Sequence, residues 1–333
     1  MAISIHHLPG FVDLQVNGFL GVDYSADDLT LDKVRMTALE INRRGTAGFL
    51  ATVITSSDAT YEKNLGLIAR AMTDPEIGRI ILGIHAEGPF LSDKPGAVGA
   101  HNPRYVKKPS VEFFKKMLDW SHNTIKVLTI AAENEGAEEL TRYAVSRGVV
   151  VSLGHHLADY AAIQRCAAAG ASWLTHLGNG VPNEVNRHFN PIWAGLAEDK
   201  VAAGLITDGH HLPPHVVKTM IRAKGVDHVI FVSDASPIAG MPPGRYETLG
   251  NLAILEPNGY LHNPEKKCLV GSSATILECA NVIAGLKAFS PEEIVQMGLI
   301  APLRKIGIDP EKFVAERPDC CGWNDAEGLF RMK

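Results

Sequence analysis

The sequence predicts an α/β protein built as a (β/α)8 TIM-like barrel, and two observations carry that prediction. Eight apolar, β-rich runs alternate with helical stretches, which is the order expected of parallel βα units. Several of these runs, such as RIILGIH at 79–85, are apolar throughout rather than alternating, as is typical of strands buried on both faces. A chain of 333 residues can hold one enlarged barrel or about two domains.

The predicted strands start close to the N-terminus and end near residue 232. They occupy 11–16, 48–54, 79–85, 125–130, 149–153, 172–175, 201–207 and 228–232. Amphipathic helices are predicted between them at 31–43, 61–72, 110–121, 135–146 and 159–169, the last with Gly170 as its stop.

The pattern changes after the eighth strand. Residues 235–271 are rich in Pro, Gly and Asn, with a hairpin predicted around Asn258-Gly259. Helices are predicted near 273–288 and 291–306, and the last residues show no clear period.

Composition excludes several classes of protein. Hydrophobic residues make up 46% of the chain and charged residues 21%, which is ordinary for a globular enzyme and unlike a disordered chain. No apolar run approaches the roughly 18 residues that span a bilayer, so no membrane partner is expected. The 32 Lys+Arg and 37 Asp+Glu lie without blocks, so no nucleic-acid partner is expected either.

The five cysteines indicate a reducing compartment. They are odd in number and show no CxxC pair, so neither a disulfide framework nor a cysteine zinc site is expected. The N-terminus lacks the basic and apolar regions of a signal peptide. We therefore expect a cytoplasmic protein.

Polar residues follow the predicted strands at the ends that form the catalytic face of a barrel. Glu87, His155, His176 and Asp234 come from four different strands. One carboxylate and two imidazoles suit a divalent cation such as zinc and leave an open position for water. Asp234 is then placed to remove a proton from that water.

Each of these residues also has a structural interpretation. A single histidine at a strand end is more often a hydrogen-bonded structural residue than a ligand, and Glu87 beside Gly-Pro can order a loop. Asp234 in Val-Ser-Asp-Ala can cap a helix. The GSSA string at 271–274 marks a turn and is weak evidence for phosphate binding. The metal site is favoured because the candidates recur at successive strand ends.

Taken together, the motifs resemble those of the N-acetylglucosamine-6-phosphate deacetylase family within the amidohydrolase superfamily. Each string is modest alone, but they run in family order over most of the chain. They are PGFVDLQVNG at 9–18, HAEGPF at 85–90, GAHNPRYVKKP at 99–109, SLGHH at 152–156, THLGNG at 175–180, ITDGHH at 206–211, VSDA at 232–235 and LVGSS at 269–273.

The resemblance implies roles for the residues at the strand ends. Glu87, His155 and His176 correspond to metal ligands and Asp234 to the general acid/base, while His101 is expected to help polarise the amide carbonyl. Many amidohydrolases carry His-x-His on the first strand for a second metal. Here Gln15 and Asn17 occupy that slot, and amides are poor zinc ligands. One divalent ion is therefore expected, zinc first and iron as the alternative.

The substrate side is mapped in the same way. Arg187 matches a phosphate-binding arginine thought to reach across a dimer interface, so a homodimer is implied; its alternative interpretation is a surface ion pair. The other residues that match substrate contacts are Ala100, Asn179, Gly180, His211, Leu269, Val270 and Gly271.

Two departures from the family pattern bear on domain organisation. The first motif begins already at Pro9, and no closing run of strands is visible, so the family's small β-sandwich is expected to be absent or vestigial. We expect one metal-dependent amidohydrolase barrel domain over 1–333, with barrel strands at about 10–234 and 235–333 completing the site. The loop after His176 also departs from the family, which leaves the identity of the sugar open.

Three functions follow as hypotheses. The first is hydrolytic deacetylation of N-acetylglucosamine 6-phosphate to glucosamine 6-phosphate and acetate. The second keeps the enzyme class but changes the substrate to N-acetylgalactosamine 6-phosphate or an unphosphorylated N-acyl amine. The third is a non-catalytic sugar-phosphate binding protein, which the intact set of four strand-end residues disfavours.

Overall fold

Eight parallel strands form the barrel that the sequence predicts. The computed structural model describes residues 3–333, and the strands pair in chain order in one eight-stranded sheet. They are β1 (Phe11–Val16), β2 (Thr46–Ile54), β3 (Ile81–Glu87), β4 (Ile125–Ile130), β5 (Val150–Leu153), β6 (Trp173–Leu174), β7 (Ala202–Ile206) and β8 (Val229–Val232). The (β/α)8 prediction is confirmed.

The barrel closes between β1 and β8 through a buried carboxylate. Backbone pairing across this seam is limited to a parallel bridge between Val16 and Ala235, in which the Asn17 N–H donates to the Ala235 carbonyl at 2.8 Å. Lower in the seam, Asp13 accepts hydrogen bonds from the hydroxyl of Ser233 at 2.5 Å and from its backbone N–H at 3.2 Å. Hydrogen bonds to the Asp13 side chain thus help to join β1 to β8, whereas backbone hydrogen bonds join the other neighbouring strands.

An outer layer of helices covers the barrel. Most of these helices begin with a side-chain cap, which satisfies a backbone N–H that has no partner within the helix. The capping residues are Thr30, Ser57, Ser110, Asp159, Asn190, Thr275, Ser290 and Asp309. The helices are α1 (Leu31–Asn42), α2 (Asp58–Ala71), α3 (Val111–Trp120), α4 (Ala137–Ser146), α5 (Tyr160–Ala168), α6 (Pro191–Ala197), α7 (Pro214–Lys224), α8 (Ile276–Gly285), α9 (Pro291–Val295), α10 (Ala301–Lys305) and α11 (Pro310–Ala315).

The first and last residues of most predicted helices lie within three residues of the observed helix ends. A π-helical turn, Gln296–Ile300, divides the helix predicted at 291–306. Gly170 follows α5 with φ +111°, as expected of a residue that ends a helix. Across residues 3–333 the structure contains no helix with the length and apolarity needed to cross a bilayer.

Antiparallel strands follow the barrel and lie outside it. A four-stranded sheet contains β9 (Gly244–Thr248), β10 (Asn251–Leu255), β11 (Leu261–Asn263) and β12 (Cys268–Leu269), and the predicted Asn258-Gly259 turn joins β10 to β11. Short strands Gly18–Phe19 and Val22–Asp23 form a further hairpin.

The C-terminal residues, which show no clear period in the sequence, also form a hairpin. Its strands are β13 (Cys321–Asn324) and β14 (Leu329–Met332), and Cys321 bridges to Leu8 near the other end of the chain. Phe330 packs edge-on against Phe11 of the barrel with ring centroids 5.0 Å apart. The sequence predicted an absent or vestigial small domain, and the structure places short antiparallel sheets outside the barrel, so β-structure of that kind is not wholly absent. The hairpin strands are only four residues long, and Cys321 pairs with a residue more than 300 positions away. Neither feature produces a local sequence pattern.

The buried seam carboxylate predicts a pH-dependent stability. Burial raises the pKa of Asp13 to about 7, against hydrogen bonds from Ser233 and Gln15 that lower it. A folded-state pKa above the unfolded one means that stability from this group is present at low pH and is lost as pH rises to about 7. We expect Asp13→Asn to remove about 2–3 kcal/mol of the difference in unfolding free energy between pH 5 and pH 8.

Urea denaturation at the two pH values measures this difference. Asp119→Asn, at an exposed position on α3, is the control and should keep the parental pH dependence. An unchanged pH dependence in Asp13→Asn would contradict the prediction.

Candidate active site and metal centre

A cavity of about 320 Å³ opens at the carboxyl ends of the barrel strands. Its walls bring together residues at the ends of seven barrel strands, all except β4, and residues of the antiparallel sheet. The predicted site residues that line it are Asn17, Glu87, Ala100, His101, His155, His176, Asn179, Gly180, His211, Asp234, Leu269 and Gly271. A concave pocket with convergent polar groups is the expected form of a small-molecule site.

Three of these residues form a compact cluster of potential ligand atoms. Nε2 of His176 lies 3.1 Å from Oε1 of Glu87 and 3.1 Å from Nε2 of His155, and the third distance, Glu87 Oε1 to His155 Nε2, is 3.2 Å. All three side chains are buried, and together they form a group able to hold a metal ion.

The chemistry of these atoms fits a cation at the centre of the cluster. Nδ1 of His155 contacts the carbonyl oxygen of Ala97 at 2.8 Å. A carbonyl only accepts, so Nδ1 carries the hydrogen and Nε2 keeps its lone pair. The separations are close to the roughly 3.3 Å between ligand atoms of a tetrahedral zinc with bonds of about 2.0–2.1 Å.

The charge on Glu87 supports the same interpretation. Burial by itself raises the pKa of this carboxyl, but its close contacts with the imidazoles of His155 and His176 outweigh burial and hold the pKa well below its usual range. Glu87 is therefore an anion that contacts imidazole nitrogens.

The same strand ends include three strained backbone positions. His155, His176 and Asp234 have φ values of +50°, +29° and +53°, in the region that residues with a side chain rarely adopt. Such conformations cost about 1–3 kcal/mol each and persist where the surrounding structure enforces them. At all three positions the turn directs a polar side chain back over the mouth of the barrel.

Asp234 lies beside this cluster, and one of its carboxylate oxygens accepts a hydrogen bond from Asn17. Its Oδ1 accepts a hydrogen bond from Nδ2 of Asn17 at 2.8 Å, while Oδ2 has no hydrogen-bond donor within residues 3–333. Burial and the charge of Glu87 raise the pKa of Asp234 to about 6, although His176, His211 and the hydrogen bond from Asn17 act to lower it. No helix starts here, so the helix-cap interpretation does not apply. This pKa suits a group that both takes and gives a proton near neutral pH.

His101 presents a hydrogen to the same cavity. Nδ1 accepts a hydrogen bond from the backbone N–H of Thr55 at 3.3 Å. Burial and neighbouring His155 lower the pKa of His101 to about 3, so the ring is neutral and its hydrogen is on Nε2. Nε2 lies 3.2 Å from Nε2 of His155, which makes His101 a donor at the edge of the cluster.

Known proteins resemble the chain in sequence and in structure. No protein-family model matches the chain. It is 30% identical over 314 residues to the human N-acetylglucosamine-6-phosphate deacetylase, covering 91% of this chain and 75% of that protein. It is 29% identical over 302 residues to an N-acetylgalactosamine-6-phosphate deacetylase of Escherichia coli O157:H7, covering 90% and 78%. The chain belongs to the N-acetylglucosamine-6-phosphate deacetylase family.

Solved structures of the deacetylase family share the fold. The Mycobacterium smegmatis enzyme superposes with a TM-score of 0.85 at 25% identity, covering 97% of this chain and 84% of that one. A variant of the same enzyme in complex with N-acetyl-D-glucosamine-6-phosphate gives a TM-score of 0.82 at 25% identity, covering 90% and 78%.

The first-strand amides of this family member contact its two carboxylates. Nε2 of Gln15 donates to Oε1 of Glu87 at 3.0 Å, as Asn17 donates to Asp234. The amide oxygens, Gln15 Oε1 and Asn17 Oδ1, are buried and have no hydrogen-bond partner in the part of the chain that the structure describes. The amides therefore brace the carboxylates through their N–H groups.

Two of the predicted substrate contacts lie away from the cavity. Val270 is buried in a small apolar cluster with Ile238 and Leu261, beneath the antiparallel sheet. Arg187 is exposed on the segment before α6, and its guanidinium makes no ion pair with residues 3–333. The surface ion pair that was the alternative interpretation of Arg187 is therefore not observed within the described part of the chain.

Several residues of the site were missed from the sequence. Asp208 accepts hydrogen bonds from the backbone and from Nδ1 of His211, the latter at 2.7 Å, and so fixes the ring that lines the cavity. The spacing of Asp and His in ITDGHH could have suggested this pair. Tyr260 and Lys267 line the cavity from the antiparallel sheet, and no motif pointed to either.

Removing one imidazole should empty the metal centre. We expect the parent protein to hold one zinc ion per chain and His176→Ala to hold almost none, because two remaining ligands bind zinc far more weakly than three. Elemental analysis after dialysis against zinc-buffered solution measures the content. His215→Ala, at an exposed position on α7, is the matched control and should keep the parental content. Equal zinc content in the two variants would contradict the assignment.

Proposed function

We propose that this protein is a metal-dependent hydrolase that removes the acetyl group from an N-acetyl amino sugar phosphate, first of all N-acetylglucosamine 6-phosphate. The observation that carries the proposal is the placement of Glu87, His155 and His176 within 3.2 Å of one another beside Asp234 in one cavity. Membership of the deacetylase family supports the reaction class.

A divalent ion bound by Glu87, His155 and His176 supplies Lewis acidity, which polarises the acetamide carbonyl and lowers the pKa of water. Zinc is our first choice, and ferrous iron is compatible with the same donor set. Two imidazoles and one carboxylate leave room in the coordination sphere for substrate or water.

Asp234 performs the proton transfers in this proposal. As a carboxylate it takes a proton from the attacking water through Oδ2, the oxygen without a donor, while Asn17 holds Oδ1. Water oxygen adds to the acetamide carbon as that proton leaves. Asp234 then gives the proton to the amine nitrogen as the C–N bond breaks, so it ends the cycle ionised, and the products are acetate and a free amino sugar phosphate.

His101 stabilises the oxygen of the carbonyl as negative charge develops on it. Its neutral ring directs the Nε2 hydrogen into the cavity because Nδ1 accepts from Thr55. A buried, oriented donor needs no reorganisation when the charge appears, and one such donor commonly contributes about 3–4 kcal/mol to the transition state.

The sugar and its phosphate are expected to contact the other cavity residues. Nδ2 of Asn179 is a buried donor without a partner among residues 3–333, which supports a substrate contact there. This side of the cavity is completed by His211, whose ring Asp208 holds, and by the backbone at Ala100, Gly180, Leu269 and Gly271. Lys267 also lines the cavity, and its positive charge favours an anionic substrate.

A homodimer would explain the position of Arg187. Two large aromatic side chains are exposed close to it: Phe189 is 83% exposed and Trp193 55% exposed, and Trp193 donates to the Arg187 carbonyl at 3.1 Å. Large aromatic side chains on an open surface are typical of protein interfaces. We infer that a second copy covers this surface and that Arg187 reaches the phosphate in the partner's site.

N-acetylgalactosamine 6-phosphate remains the second candidate substrate. A relative that covers 90% of this chain is named for that sugar phosphate. The two sugars differ only in the configuration at C4, so the same metal and proton-transfer residues serve both.

The state of the cysteines supports a cytoplasmic enzyme. All five are free thiols, and Cys166, Cys279 and Cys321 are buried. Unpaired cysteines are typical of proteins in reducing compartments.

Acetate release from a panel of N-acetylhexosamines tests the function. We expect the zinc-loaded parent to release acetate from N-acetylglucosamine 6-phosphate, and Asp234→Asn to lower kcat by about 10²–10⁴-fold while zinc content is unchanged, because the amide cannot accept a proton. The panel includes N-acetylgalactosamine 6-phosphate and both unphosphorylated sugars. Binding of a sugar phosphate without acetate release in zinc-loaded protein would instead indicate a binding protein.

Arg187→Ala tests both the phosphate contact and the dimer. We expect kcat/KM for the phosphorylated sugar to fall by about 10–100-fold, since a hydrogen bond to a charged group contributes about 1.5–3 kcal/mol. The unphosphorylated sugar should be affected little. Co-expression of Arg187→Ala with Asp234→Asn should restore activity, because a mixed dimer contains one site with Asp234 and a partner's arginine. Lack of restoration in confirmed mixed dimers would exclude a contact across the interface.

A further inference from the structure

A chain of buried hydrogen bonds runs across the barrel interior just below the metal centre. Nε2 of His85 lies 2.7 Å from Oγ1 of Thr129, which lies 2.8 Å from Oγ1 of Thr175, which in turn lies 2.5 Å from Oγ of Ser152. Nδ1 of His85 ends the chain 3.0 Å from the carbonyl oxygen of Leu14. We call these four side chains the hydroxyl belt, and all four are fully buried.

The belt has one arrangement in which every hydrogen is used. The Leu14 carbonyl only accepts, so Nδ1 of His85 donates to it and Nε2 is the acceptor of a neutral ring. Thr129 then donates to His85, Thr175 to Thr129, and Ser152 to Thr175. The opposite direction would leave the hydroxyl hydrogen of Ser152 without an acceptor within residues 3–333, which a buried site disfavours.

The belt joins five strands at the level directly beneath the ligands. His85 precedes Glu87 by two residues on β3, so both side chains lie on the same face of that strand. Thr175 directly precedes His176, and Ser152 precedes His155 by three residues. The belt is therefore connected to each of the three ligands through at most three residues of chain.

His176 is the ligand that most needs such support. It follows β6, the shortest barrel strand, in which only Trp173 and Leu174 pair with the neighbouring strands. Metal-binding histidines almost always donate their second ring nitrogen to a nearby acceptor, as His155 does to Ala97. Nδ1 of His176 is buried and makes no hydrogen bond to another residue of the described chain.

We propose that Thr175 is a positioning residue, which holds His176 at the metal centre through its two hydrogen bonds in the hydroxyl belt. The inference rests on the proposed metal centre and not on the identity of the sugar. Thr175 fixes the chain immediately before the ligand by three contacts: its Oγ1 meets Thr129 and Ser152, and its backbone N–H donates to the Leu153 carbonyl at 2.9 Å.

Close packing around Thr175 shows that the belt has no room to shift. A Cβ built on Gly154 would lie 2.6 Å from the Cβ of Thr175 and 3.3 Å from Cγ2 of Thr129. Only glycine fits at this position in SLGHH, directly before the ligand His155. The belt thus lies close beneath two adjoining strand ends, and a change in it is transmitted to the ligands.

Substitutions at Thr175 separate positioning from simple stability. Thr175→Val keeps the shape and removes the hydroxyl, whereas Thr175→Ser keeps the hydroxyl. Thr141→Val is the matched control: Thr141 is a fully buried threonine on α4, far from the site, whose hydroxyl donates to the Ala137 carbonyl at 2.7 Å. The dissociation constant for zinc is measured by competition with a chromophoric chelator, and unfolding by urea is measured in parallel.

We expect Thr175→Val to weaken zinc binding about 10–100-fold, the effect typical of a lost outer-shell contact, and Thr175→Ser to bind as the parent does. Thr141→Val should lower stability without changing zinc affinity. An unchanged affinity in Thr175→Val, or an equal loss in Thr141→Val, overturns the inference.

Two further results are decisive. If Thr175→Val does not fold, Thr129→Val breaks the neighbouring link and should weaken zinc binding in the same way, and an unchanged affinity there overturns the inference. A parent protein that binds no zinc would overturn the proposed metal centre together with the inference. A parent that binds zinc while Thr175→Val binds equally well overturns the inference alone.

Discussion

Three electron-rich atoms held 3.1–3.2 Å apart in a buried space are the constraint on which the rest of this structure depends. An ionised carboxylate and two imidazole lone pairs repel one another unless a cation shares them, and burial strengthens that repulsion because little solvent screens it. The folded chain must therefore hold Glu87, His155 and His176 close together although their ligand atoms repel one another. Gln15 offsets part of the charge on Glu87, and the Ala97 carbonyl fixes the ring of His155.

The barrel supplies the rigidity that this arrangement requires. Parallel strands converge at their carboxyl ends, yet His155, His176 and Asp234 reach the centre only by turning through positive φ. Strained turns of this kind persist only on a well-packed base. The seam held by Asp13 and Ser233 and the hydroxyl belt beneath the ligands both contribute to that base, since each joins strands through side chains where backbone pairing is short.

The sequence was sufficient for the barrel and for the cluster of Glu87, His155 and His176 that is able to hold a metal ion, because both leave local signals. Buried parallel strands appear as apolar runs; Glu87 ends one of them, and His155 and His176 each lie two residues after another. The residues that support the ligands leave none, because a threonine such as Thr175 in a strand is common for reasons of β-propensity alone. The C-terminal hairpin was missed for a related reason, since its contact with Leu8 joins the two ends of the chain. Arg187 matched a motif, but its exposed position could not be read from spacing.

In the proposed function, the residues for chemistry and the residues for substrate choice come from different parts of the fold. The proposed metal ligands and Asp234 lie at barrel strand ends, whereas Tyr260, Lys267 and Leu269 come from the antiparallel sheet, and Arg187 lies on an exposed segment. Loops and added sheets tolerate change far better than strand ends, because few buried contacts depend on them. This separation allows residues near the sugar to change without a change in Glu87, His155 or His176. Relatives named for two different sugar phosphates, at 29% and 30% identity to one chain, are the outcome expected of that separation.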